Sequence, residues 1–329
     1  GVWLLIGAAA AMTAAWAVMI SMPGPVRRGP WPPLSGEERR LEAELRDTVE
    51  LLAGAIGERH AFSPEAKRAL GDAADALEGR WAALGLAVRR DAIPGSPGTA
   101  NLQVEVRGER CPEEVVVVGA HYDSVWGSPG ANDNASGVAA LLALAARLRD
   151  PAPERTLRFV AFANEEPPAF QTAAMGSLAY ARAARASGAR ILAMLSLETL
   201  GYYSQTDGSQ RYPSPFGLWY PSRGDFLAFV GNLRSRRLVR DAVRAFRAGA
   251  SLPAEGIAAP GAVPGVSWSD HWAFWSQGYP AIMVTDTALY RDPAYHTPED
   301  RPERLDYASL ARAVAGLEAV VRALAACRD

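Results

Sequence analysis

The chain has 329 residues, 49% of them apolar, and its 34 basic and 36 acidic groups leave a net charge of −2 at pH 7. That balance, without a basic stripe, excludes a phosphate-backbone binder, so nucleic acid is not an expected partner, and the apolar content excludes intrinsic disorder. The only lysine is Lys67, which sets aside Schiff-base chemistry and a P-loop, and Cys111 and Cys327 allow at most one disulfide and no thiolate metal site.

In chain order, the first feature is a run from Gly1 to Met22 without a charged residue. About 20 apolar residues at 1.5 Å each match the hydrocarbon thickness of a bilayer, so residues 1–22 are expected to be a transmembrane anchor or a signal segment. Ala15-Trp16-Ala17 offers a small-residue cleavage site, but the apolar run continues past it, which favours a retained anchor. Residues 23–34, with five prolines, read as a linker, and 35–329 as one catalytic-size domain. The expected location is the membrane, with the domain on the extracytoplasmic side, although Arg27 and Arg28 pull toward the opposite orientation.

Beyond the linker, Ser35 and Glu38 form a capping box ahead of a helix over 37–56, and Ser63-Pro64 opens a second helix ended by Gly85. Strands are expected at 86–93, 101–107 and 114–119, the last with the continuous apolar run Val115-Val116-Val117-Val118 of a strand covered on both faces. Helix 138–149, strand 156–163, helix 177–187 and strand 191–197 follow, then strand 226–230, helix 235–247, strand 281–285 and helix 307–326. This alternation predicts an α/β fold. The stretches 202–224 and 248–267, rich in Gly, Pro, Ser and aromatic residues without periodicity, read as long functional loops.

Candidate ligands fall where an open α/β sheet binds its ligands, at the carboxyl ends of strands. His121 ends the 114–119 segment, Glu165 and Glu166 follow 156–163, Glu198 ends 191–197, and His296 lies beyond 281–285, while Asp133 comes from the loop before helix 138–149. Imidazoles with carboxylates and no thiolate are the donor set of a hydrolytic Zn²⁺ site. Asp133, Glu166 and Glu198 carry three negative charges that one or two dications would compensate, with Asp133 as the bridge. Glu165 is then left to act as general base, and Asp123 to accept the second imidazole N–H of His121.

The segments Gly119-Ala120-His121-Tyr122-Asp123-Ser124, Ala131-Asn132-Asp133-Asn134-Ala135-Ser136-Gly137, Asn164-Glu165-Glu166, Ser196-Leu197-Glu198 and Tyr295-His296-Thr297-Pro298-Glu299-Asp300 resemble, in order and spacing, the co-catalytic zinc aminopeptidases typified by bacterial leucyl aminopeptidase and aminopeptidase Y. The resemblance runs from about Leu86 to Ala326. It implies a three-layer α/β/α sandwich around a mixed, mostly parallel sheet, removal of N-terminal residues from peptides with a free amino terminus, and metal ligands at His121, Asp133, Glu166, Glu198 and His296. It also implies Glu165 as the base, a cis peptide after Asp133, and Tyr295 as a hydrogen-bond donor to the developing oxyanion. One position departs from the family: Glu198 stands where aspartate is usual, which leaves one zinc or two open. A single zinc brings in the glutaminyl cyclases, relatives that form pyroglutamate, but these usually carry tryptophan where this chain has Tyr295. A non-catalytic receptor or scaffold domain is the remaining alternative, and it typically loses ligands that are all present here.

Other residues receive lesser roles. His60 is expected on the surface without a function. Ser269-Asp270-His271 reads as a helix cap rather than a serine nucleophile, because no G-x-S-x-G elbow surrounds it, and Asp270 is placed behind the metal ligands. Trp268, Trp272 and Trp275 recur at helical spacing and are expected to pack. Trp126, Tyr202, Tyr203 and Trp219 are placed in loops near the crevice, either as an apolar substrate pocket or as loop packing.

Overall fold

The computed structural model describes residue 13 and residues 16–27 and 29–327. Eight strands form one mixed sheet: β1 (Arg89–Ala92), β2 (Ala100–Val106), β3 (Cys111–His121), β4 (Arg155–Phe162), β5 (Arg190–Glu198), β6 (Leu227–Gly231), β7 (Ala254–Ala258) and β8 (Ala281–Thr285). Their order is β1-β2-β4-β3-β5-β8-β6-β7. The four central strands β4, β3, β5 and β8 run parallel, whereas β1, β2 and β6 join antiparallel to their inner neighbours.

The helices are α1 (Gly36–Val49), continued by a wider turn over Glu50–Ile56, α2 (Pro64–Ala83), α3 (Gly137–Leu148), α4 (Gly176–Ala186), α5 (Arg236–Gly249), α6 (His271–Ser276), α7 (Ala288–Arg291) and α8 (Tyr307–Ala325). Both expected caps are present: Ser35 and Glu38 exchange capping-box hydrogen bonds, and the Ser63 hydroxyl accepts from Ala66 N. The four-valine run of β3 divides by parity. Val116 and Val118 pack under α1, α3 and α8, while Val115 and Val117 face Leu178, Tyr180 and Phe274 of α4 and α6. All four are buried, as a strand covered on both faces requires. The three-layer α/β/α sandwich expected from the sequence is the fold observed.

Some boundaries differ. Only four residues of 86–93 pair, at the sheet edge. β7 lies inside 248–267, expected to be loop, because pairing with β6 overrides its Gly and Pro content. The apolar segment 1–22 lies mostly outside the described residues, and among those described no helix is long and apolar enough to cross a membrane. The proline-rich stretch follows the domain surface: Arg247 of α5 donates to the carbonyls of Pro23 and Gly24, and Arg312 of α8 to that of Pro32 at 2.6 Å. Cys111 and Cys327 form a disulfide that ties the start of β3 to the chain end after α8.

Arg59, fully buried after α1, was not foreseen. Its guanidinium donates to five carbonyls: those of Leu52 and Gly57 on its own segment, and those of Tyr122 (2.7 Å), Pro129 (2.6 Å) and Gly130 (3.0 Å). One buried cation thereby fixes both ends of the loop that joins His121 to Asp133.

Candidate metal centre

The loops at the carboxyl ends of β3, β4, β5 and β8 converge on one crevice. His121 is the last residue of β3 and Glu198 the last of β5, so the strands aim them directly. Asp133 enters from the loop before α3. That loop turns at Gly130, whose φ of +63° is left-handed and where a Cβ would lie 2.4 Å from Asp133 O, so only glycine fits. The Asp133-Asn134 peptide is cis, as the family resemblance implies. Asp300 accepts the backbone N–H of Asn132 (2.7 Å) and of Asp133 (3.0 Å), and the Asn134 side chain ties the loop to Leu197 O and Thr199 N beside Glu198.

Three residues of the site have positive φ without being glycine: Asn164 before Glu165, Thr199 after Glu198, and His296 itself. Each such conformation costs about 1–3 kcal/mol and persists only where surrounding bonds enforce it. The Asn164 amide reaches Ser96 Oγ at 2.9 Å and Ala174 O at 3.2 Å, and the two N–H groups that follow, Glu165 and Glu166, both donate to the Asp123 carboxylate at 3.1 Å. The paired glutamates are thus held by their backbone.

The five expected ligands come together. His121 Nε2 lies 3.2 Å from Asp133 Oδ1 and 3.3 Å from Glu198 Oε2, while His296 Nε2 lies 3.0 Å from Asp133 Oδ2 and 3.5 Å from Glu166 Oε2. Asp133 therefore presents one oxygen to each histidine and belongs to two triads, His121-Asp133-Glu198 and His296-Asp133-Glu166, while a third close group, His121-Glu165-Glu166, lies beside them. Ligands at about 2.0–2.1 Å around a tetrahedral ion sit roughly 3.3 Å apart, so the histidine-to-carboxylate edges of each triad have the lengths of a zinc coordination sphere. Asp133 Oδ1 and Glu166 Oε1 are buried without a hydrogen-bond donor among the described residues. The donor set, spacing and orphaned oxygens all fit divalent cations.

Electrostatics agree. Burial, reinforced by neighbouring carboxylates, drives the Glu165 and Glu166 carboxyls well above their usual range and raises that of Glu198. Asp133 is buried too, yet the imidazoles of His121 and His296 close to its two oxygens hold it below that range. His121 is raised despite complete burial, because Glu198, Glu165, Asp123 and Asp133 surround it. Such an excess of buried acid is what a dication would neutralise.

The remaining expectations fare unevenly. Glu165 Oε2 stands 3.9 Å from His121 Nε2, beside the triads without joining the bridge. Asp123 meets His121 Nδ1 through its backbone carbonyl at 3.2 Å, with its carboxylate at 3.5 Å occupied mainly by the two glutamate N–H groups. Asp270 is fully buried, and burial lifts its carboxyl to about 7. Tyr295 stacks on His296, ring centroids 3.9 Å apart, and burial with the nearby carboxylates keeps its hydroxyl protonated.

One expectation is corrected, and one left open is resolved at the cavity. His60 is not a surface residue: it is 1% exposed, bonded to Glu58 at 2.8 Å and stacked between Phe62 and Trp126, because Arg59 next to it draws this segment into the domain. Trp126, Tyr202, Tyr203 and Trp219, for which two readings stood open, lie outside the lining of the apolar cavity. The cavity that opens beyond Glu198 and Tyr295 is lined by Tyr212, Phe216, Tyr220 and Trp268, with Met283 of β8 as part of its wall. Trp272 and Trp275 pack as expected, but Trp268 is half exposed at this cavity.

Ser269, expected in a helix cap, does not serve as one, since Asp270 is the N-cap without a side-chain bond; instead the Ser269 hydroxyl donates to Glu198 Oε2 at 2.7 Å and contacts Ser196 Oγ at 2.8 Å. It holds the longer glutamate side chain in place, and partners of this kind are worth 10–100-fold in metal affinity. S269A should therefore weaken metal binding by about tenfold, measured by competition with a chromogenic chelator, while leaving thermal stability nearly unchanged. Asp286, directly after β8, accepts from the Asn132 side chain (2.9 Å) and from Tyr202 N (2.8 Å), and its position at a strand end was a signal available in the sequence.

Fold and donor set together define a class: an α/β/α protein whose strand ends carry an imidazole and carboxylate centre fit for divalent cations. The chain belongs to peptidase family M28, whose model matches residues 101–321. It is 42% identical over 212 residues to the uncharacterized protein YfbL of Escherichia coli K12, an alignment covering 62% of this chain and 65% of that protein, so the chain spans just under two thirds of this relative's length. Among solved structures it is similar to a zinc aminopeptidase from Bacillus subtilis, at TM-score 0.64 and 17% identity, covering 90% of this chain and 95% of the other. It is also similar to the Fimbriiglobus ruber glutaminyl cyclase, at TM-score 0.61 and 18% identity, covering 92% and 99%.

Proposed function

We propose that the protein is a zinc-dependent aminopeptidase that hydrolyses the first peptide bond of peptides with a free N-terminus. The observation that carries this reading is the bridging geometry of Asp133, one oxygen within 3.2 Å of each histidine Nε2 and a glutamate completing each triad. His121, Asp133 and Glu198 would hold one ion, and His296, Asp133 and Glu166 a second. When bound, such ions polarise the scissile carbonyl and lower the pKa of water to about 7.

The chain's own residues do the rest. Glu165 accepts the proton of the attacking water and delivers it to the leaving amine, and its buried, acid-rich surroundings give it the proton affinity that task needs. Tyr295, kept protonated, donates to the oxyanion. The carboxylates of Glu165 and Glu198 attract the substrate ammonium, and the cavity beyond Glu198 receives the side chain of the first residue, its aromatic walls suiting a large apolar one. The complete second triad, with Tyr295 beside its histidine, favours hydrolysis over cyclisation of N-terminal glutamine.

Turnover of free and N-acetylated forms of one peptide series tests the reading. Free peptides should lose their first residue at a rate at least 100-fold above the acetylated forms, since losing one buried charge-assisted contact costs about 3 kcal/mol. Equal turnover of the two, or release of ammonia alone from a Gln-initiated peptide, would replace it. We also place the protein at a membrane with its domain in an oxidising, extracytoplasmic compartment, a location supported by the uncharged Gly1–Met22 run and the Cys111–Cys327 disulfide.

A further inference from the structure

At the outer end of the sheet, Trp16–Ile20 makes a single turn against the domain. Met19 packs toward the cluster around Phe226 and Val230, and Met22 toward the main core, while Trp16 and Val18 on the other side of the turn remain 44% and 46% exposed. The segment is fastened from beneath by α5, whose Arg236 donates to Ala17 O (2.9 Å) and Val18 O, and whose Arg240 donates to Ser21 O. Leu233, one turn ahead of Arg236, is a third exposed apolar side chain, at 47%.

Basic charge continues along α5 from this point. Residues 233–244 contain five arginines and one acid, Asp241. Asp241 sits 2.8 Å from Arg244 and 3.8 Å from Arg237, yet those guanidinium side chains are still 57% and 78% exposed, and Arg234 is exposed as well. Exposed apolar side chains, a tryptophan among them, beside a row of exposed arginines are the composition of a surface that lies at the headgroup level of an anionic bilayer.

We propose that Trp16, Val18 and Leu233, with Arg234, Arg237 and Arg244 beside them, form a membrane-contact surface that binds anionic phospholipid headgroups and holds α5 against the bilayer. The uncharged run that ends on this patch argues for lipid rather than for an acidic protein. α5 is the outermost helix beside β6 and β7, so the contact fixes which edge of the sheet faces the membrane and leaves the carboxyl ends of the central strands open. This inference is independent of the enzymatic reading.

The test uses the full chain with a nitroxide on R237C, or on D72C of α2 at the opposite edge of the sheet, reconstituted into phosphatidylcholine vesicles with or without phosphatidylglycerol. Position 237 should be severalfold less accessible to a water-soluble nickel chelate when the anionic lipid is present. The shielding should disappear at high salt and in R234E/R244E, and position 72 should be accessible throughout. Equal accessibility of position 237 in both vesicle types, or failure of the chain to associate with anionic vesicles, overturns the proposal.

Discussion

Replacing Glu165 by glutamine should lower kcat by roughly 10²–10⁴-fold while leaving the metal content and the fold intact. The reason is geometric. Glu165 and Glu166 are neighbours in one turn, their N–H groups bound to the two oxygens of Asp123, but only Glu166 reaches a bridged triad. Glutamine keeps the shape and the backbone bond of Glu165 and removes its ability to take a proton, together with one of the two charges proposed to attract the substrate ammonium. KM for a peptide with a free N-terminus should therefore rise while kcat falls. The check is a steady-state comparison with metal analysis of the same preparation. A variant within tenfold of wild-type kcat would mean that another group accepts the proton, and Asp270, a buried carboxyl raised to about 7, would be the first to examine.

D133N should have the second large effect. Asp133 is the one side chain shared by both triads, and the imidazoles of both histidines close to its oxygens hold its carboxyl below the usual range. Asparagine keeps the size but removes the negative charge and one oxygen, so one ion position loses its bridging ligand and the other keeps only a neutral one. Metal content after dialysis should fall to less than half of the wild-type value. Turnover should drop by roughly 10³-fold or more, since several kcal/mol of transition-state stabilisation depend on the ions. E166Q, by contrast, touches one triad only, and retention of one ion in E166Q but not in D133N would separate the bridge from a terminal ligand.

Much of this centre was legible in the sequence because strand-end logic is topological. Once β3, β4, β5 and β8 were read as parallel strands, His121, Glu165, Glu166 and Glu198 had to share an edge, whatever the exact loop paths. What stayed hidden depends on the paths themselves. Asp300 carries a role only because its two oxygens meet two consecutive N–H groups 167 and 168 positions away. Arg59 and Ser269 likewise act through contacts that no local pattern encodes. The aromatic residues show the same limit. Trp126 and Tyr212 both sit in irregular segments of similar composition, yet one stacks on His60 and the other lines the cavity. β7 escaped because five residues with a glycine at the centre form a strand only through pairing with β6.

The central claim is that the two triads hold divalent cations, and anomalous scattering at the zinc absorption edge from a crystal of the protein grown with zinc tests it most directly. The account predicts one peak between His121, Asp133 and Glu198 and another between His296, Asp133 and Glu166. A map with no peak at either triad would contradict it.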